Sequence, residues 1–117
     1  MNKYQNEIHK IFEGVSDSLG EILEEEKVII AGGIISRVFS GRKTKDADVD
    51  VYFRSKESLA RVLYGIEGTG NIVVDWTDKS IMIKSGKDGC IVQFVIIDYF
   101  EDAYKIYKRR GRWCIFS

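Results

Sequence analysis

The stretch Asp46-Ala47-Asp48-Val49-Asp50-Val51-Tyr52-Phe53 decides how this chain folds. Its alternation is strict: Ala47, Val49, Val51 and Phe53 share one side of an extended backbone, and Asp46, Asp48, Asp50 and Tyr52 share the other. A period of two predicts a half-buried strand, apolar side on the core and acidic side toward water. Just upstream, Val28, Ile29, Ile30 and Ala31 form a short apolar run that ends at Gly32-Gly33, the pattern of a buried strand followed by a tight turn. Ile34, Ile35, Val38 and Phe39 then predict a short helix with Gly41 as its C-cap, and Arg42 to Lys45 makes a charged loop into the acidic strand.

Working outward, Tyr4, Ile8, Ile11, Phe12, Val15, Leu19, Ile22 and Leu23 recur at helical spacing, so an amphipathic helix precedes the first strand, weakened at Gly14 and Gly20. Glu24, Glu25 and Glu26 read as its solvated end. On the other side, Ser55 is placed to cap a helix carrying Leu59, Val62, Leu63 and Ile66, which Gly68 and Gly70 terminate. Asn71 to Trp76, Ser80 to Lys84 and Cys90 to Ile97 are strand candidates, with a hairpin-type turn from Ser85 to Gly89. Phe100, Ala103, Tyr104 and Tyr107 suit a last helix ahead of a basic tail that holds Lys108, Arg109, Arg110 and Arg112. This order predicts an α/β (α+β) fold: a mixed, mostly antiparallel sheet flanked by helices, in one domain over residues 1–117.

The totals narrow the function classes. Eighteen Lys and Arg balance eighteen Asp and Glu in 117 residues, which argues against coating nucleic acid by bulk charge. Cys90 and Cys114 are isolated from one another and from any metal-type pair, so they read as reduced, buried thiols of a cytoplasmic protein. No long apolar run marks a signal peptide or a membrane span, and a virus-encoded chain would act in the host cytoplasm.

The acidic strand is where chemistry is expected. Three like charges on one face repel each other, a cost that divalent cations remove, since Mg²⁺ favours carboxylate oxygens. A solvated strand face with an acidic bias explains the same residues equally well. Gly32-Gly33 adds weight to the first reading, because a strand–glycine–helix junction lets backbone N–H groups approach a phosphate.

The stretch Ala31-Gly32-Gly33-Ile34-Ile35-Ser36-Arg37-Val38-Phe39-Ser40-Gly41-Arg42-Lys43-Thr44-Lys45-Asp46-Ala47-Asp48 resembles the head-domain signature of CCA-adding enzymes and bacterial poly(A) polymerases, in the DNA polymerase β-like nucleotidyltransferase superfamily. The signature covers 18 of the chain's 117 residues. The resemblance implies the nucleotidyltransferase fold, with Asp46 and Asp48 as catalytic, metal-binding residues and Asp50 assisting. It assigns Gly32 and Gly33, with Ser36, Arg37 and Lys45, to the nucleotide. It also implies Mg²⁺ or Mn²⁺ as cofactor and ATP or another NTP as substrate. Asp48-Val49-Asp50 fits the looser superfamily pattern as well, so only Asp48 is common to both frames. Ser36-Arg37 stands where CCA-type heads carry Arg-Asp, and a third carboxylate is open among Asp50, Asp75 and Asp98, with neutral Gln93 at the centre of the later strand. The 117 residues leave no room for the helical body that reads primer RNA in CCA-adding enzymes, so tailing of tRNA by this chain alone is not expected.

The leading expectation is therefore metal-dependent transfer of a nucleoside monophosphate from an NTP to a hydroxyl on an RNA end, a protein or a small molecule, with a partner chain presenting the acceptor in one version. The alternative is a catalytically silent domain of the same fold that serves as a binding or assembly module. A bare head domain of this kind suits a phage or mobile element. His9 falls beside the first helix's stripe and supports no catalytic triad. Trp76, Trp113, Tyr99, Tyr104 and Tyr107 read better as filling the core or lying at its edge than as base-stacking platforms.

Overall fold

The computed structural model describes residues 17–39, 49–85, 90–100 and 114–116. In chain order the elements are helix α1 (Asp17–Glu25), strand β1 (Ile29–Ala31), helix α2 (Gly33–Phe39), β2 (Val49–Tyr52), helix α3 (Lys56–Ile66), β3 (Ile72–Trp76), β4 (Ser80–Ser85), β5 (Cys90–Val95) and β6 (Cys114–Phe116). All six strands join one sheet in the order β3-β4-β5-β2-β1-β6. β2 and β5 run parallel, and the other four pairings are antiparallel. This is the mixed, mostly antiparallel sheet flanked by helices that the alternation predicts.

Local chemistry sets the boundaries. Ser55 adopts extended geometry and its hydroxyl accepts the Ser58 N–H at 3.1 Å, which satisfies an orphan donor at the start of α3. At the other end the Glu67 N–H donates to the Tyr64 carbonyl, and Gly68 then turns the chain at φ 80°. The β3–β4 turn is held by Thr77, whose N–H donates to the Ser80 carbonyl at 2.8 Å and whose hydroxyl accepts from the Lys79 and Ser80 N–H groups.

One face of the sheet carries the main core. Val49, Val51 and Phe53 meet Ile81, Ile83, Val92 and Phe94 from the neighbouring strands, under Leu19 and Leu23 of α1 and Leu59, Val62 and Ile66 of α3. The Phe53 and Phe94 rings stack edge to face at 5.1 Å, a favoured aromatic geometry. α1 and α3 pack closely enough that a Cβ on Gly65 would sit 3.2 Å from Ile22 Cδ1. A surface clamp fastens the two helices: Glu26 accepts from Ser58 Oγ and from Arg61, whose Nη2 lies 2.8 Å away. The opposite face holds a smaller cluster of Ile29, Ala31, Tyr52, Val95 and Phe100, with the Tyr52 and Phe100 rings edge to face at 5.7 Å.

The structure departs from the sequence reading in four places. β2 is buried on both faces instead of one, because it stands in the interior of the sheet with the second cluster behind it. β5 stops at Val95, where the Ile96 N–H turns to the Lys79 carbonyl. β6, in what reads as a basic tail, pairs with β1 from Ile29↔Phe116 to Ala31↔Cys114. Trp76 is 62% exposed, so it is not a core residue. The expectations for Tyr4 to Val15, Gly14, His9, Gly41, the Arg42 to Lys45 loop, the turn after Ser85, the 103–107 helix, Trp113, and the side chains of Cys90 and Cys114 lie outside the described residues.

Candidate functional site

Strand register brings one polar row across the sheet. Ala31 of β1 is paired with Asp50 of β2, Asp50 with Gln93 of β5, Gln93 with Met82 of β4, and Met82 with Asp75 of β3. Directly paired residues share a face. Since Val49 and Val51 belong to the main core and Tyr52 to the second cluster, Asp50 lies on the second-cluster face. It is 8% exposed, one of the buried polar residues of the described chain. Gln93 and Met82 beside it are half-buried.

This row sets the spacing between two of the carboxylates, Asp50 and Asp75. Asp75 is three strands from Asp50, about 14 Å at the usual inter-strand spacing, too far to share an ion with it. The neighbour within reach in β5 is the neutral Gln93. Asp98 follows β5 and is half-buried. Among the described residues no three His, Cys, Asp or Glu side chains come together as a metal site. Asp46, Asp48 and Lys45 lie outside the described residues.

The glycine turn has a backbone explanation. Gly32 sits at φ 104°, a conformation that side-chain-bearing residues rarely adopt, and its carbonyl accepts the Ile35 N–H at 3.1 Å to start α2. Gly33 is the first residue of that seven-residue helix, and Ser36 lies within it. Arg37, half-buried, occupies the last turn, where a cation complements the helix dipole. Gly32, Ser36 and Arg37 thus share one strand–turn–helix unit next to the Ala31↔Asp50 pairing.

A second feature was not foreseen as functional. Every residue of β3 is exposed, including Ile72 at 59%, Val73 at 43%, Val74 at 49% and Trp76 at 62%. Among the described residues only β4 pairs with it. The cue in the sequence is the chemical contrast between Ile72-Val73-Val74 and the glycine-rich, acidic residues on either side.

A model of the Gabija anti-defense 2 family protein matches residues 2–109. The chain belongs to that family. Over 105 residues it is 30% identical to a protein named Gabija anti-defense 2 from Bacillus phage SPbetaL7, an alignment covering 90% of this chain and 25% of the relative. The chain therefore spans about a quarter of the length of the curated relative it matches. No solved structure matches it.

Membership in the Gabija anti-defense 2 family corrects the expectation raised by the signature at residues 31–48. The chain is not assigned to the nucleotidyltransferase superfamily, and transfer of a nucleoside monophosphate from ATP or another NTP with magnesium is withdrawn as its function. The physical reason is that a short glycine–acid spacing carried the inference. The glycine half of it is accounted for by the φ of Gly32, and the described part of the acidic half is a buried aspartate facing a glutamine. The phage context agrees with the source of the relative. No helix among the described residues is long and apolar enough to cross a membrane.

Proposed function

We propose that this chain is a binding protein that counters Gabija defence by engaging a host defence protein in the host cytoplasm. The family match over residues 2–109 carries this reading, together with the printed name of the phage relative. The binding-module alternative is supported further by the exposed apolar side chains of the described residues, which are concentrated on a sheet edge. This reading needs neither nucleotide nor RNA.

The test is plating of a Gabija-sensitive phage on bacteria that carry the defence system, with and without this chain expressed from a plasmid. Expression should restore plaque counts toward those on defence-free cells. Unchanged plating at a verified level of folded protein would overturn the proposal.

A further inference from the structure

We infer that the outer edge of β3 is a strand-addition site, and that its occupant is an extended, apolar segment of the host defence protein flanked by Lys or Arg. This rests on the binding function proposed above and goes beyond it by naming the surface and the chemistry of its partner. Among the described residues β3 ends the sheet, so its outer backbone groups face away from β4 and are set to pair with an added strand. An exposed run of Ile72, Val73 and Val74 beside Trp76 is the kind of edge that isolated proteins avoid and interfaces use. Tryptophan in particular is enriched among residues that dominate binding energy.

Charge selects the occupant. Along residues 62–84 the exposed acids Glu67, Asp75 and Asp78 outnumber the exposed bases Lys79 and Lys84, and neither base lies on β3 itself, although Lys84 of β4 is paired with Ile72. A basic segment would complement this edge and be steered toward it. A second copy would not, since antiparallel pairing of two β3 strands about Val74 sets Asp75 of each copy diagonally across from its twin on the same face.

The experiment uses the full chain and purified host Gabija proteins. Hydrogen exchange of the amides at 72–76 is followed with and without those proteins, and affinity is measured for wild type, Trp76→Ala, the pair Asp75→Arg with Asp78→Arg, and Tyr64→Ala as an exposed control on α3. The expected result is protection of 72–76 on binding, at least tenfold weaker binding for Trp76→Ala and for the charge-reversed pair, and unchanged binding for Tyr64→Ala. Wild-type binding should also weaken as salt is raised. Binding without protection of 72–76 overturns the edge site and leaves the proposed function standing. No binding at all overturns both. Protection of 72–76 that grows with concentration of the chain alone assigns the edge to a second copy and likewise overturns the inference. Because the exchange measurement uses wild-type protein, a variant that fails to fold does not remove the test.

Discussion

β2 and β3 are similar strings, Val-Asp-Val-Tyr and Ile-Val-Val-Asp-Trp, yet every residue of β2 is buried and every residue of β3 is exposed. β3 is the more apolar of the two. The difference is one of position: β2 has β5 on one side, β1 on the other, the α1–α3 layer over one face and the Phe100 cluster under the other, whereas among the described residues β3 has β4 alone. Composition measures how much burial a strand could gain, and sheet order determines whether it gains it.

The sharpest test of that comparison is a pair of truncations. Phe94→Ala, in β5 beside β2, removes a wholly buried ring and should cost about 3–5 kcal/mol in urea unfolding. Trp76→Ala in β3 should stay within about 0.5 kcal/mol of wild type. Equal losses would break the distinction between the two regions. Within the covering layer, Gly65→Val drives a side chain into Ile22 and should cost about 1–3 kcal/mol. A double-mutant cycle with Ile22→Ala should then show the two changes partly compensating, since the smaller side chain makes room. A smaller effect is expected at the entrance to the same layer, where Ser55→Ala removes the bond to the Ser58 N–H and should lower stability by about 1 kcal/mol.

The smallest effect concerns the clamp between the helices. The hydrogen bond from Arg61 holds the Glu26 carboxyl below its ordinary value of 4.5, opposed by partial burial and aided by Ser58. A carboxylate with a depressed folded-state pKa stabilises the fold above its unfolded value, and that contribution is lost as pH falls through the lowered one. Glu26→Gln should therefore melt slightly below wild type at pH 7, and the gap should close in acid below that lowered value. A gap that persists there would locate its origin in packing instead of charge.

Much of the fold could be read from the chain because local rules agreed with the tertiary result. The run Val28 to Ala31, the Ser55 cap, the Gly68 and Gly70 stop and the alternation through Phe53 all correspond to observed boundaries or faces. What could not be read depends on distant neighbours. Ile72-Val73-Val74 has the composition of an interior strand, and only the sheet order places it outside. β6 is too short at Cys114–Phe116 to show a period, and its reason for being extended is β1, far away in the chain. The site was harder still. Asp50 was legible as belonging to the polar side of its strand, but its partnership with Gln93 comes from a parallel pairing that no turn announces. The family itself was misread because Gly32-Gly33 and the aspartates match a spacing, and spacing alone does not distinguish a turn required by backbone geometry from one required by a ligand.

The pairing of β6 with β1 has a kinetic consequence. Ile30 and Ile115 are 85 positions apart in the sequence, so closing that ladder carries the largest loop-entropy cost in the sheet. The β3–β4 hairpin, by contrast, closes through Thr77 to Ser80 on the microsecond scale of local turns. Pairing of β6 with β1 is therefore expected to follow closure of the hairpin, since residues 114–116 are made after every other strand described.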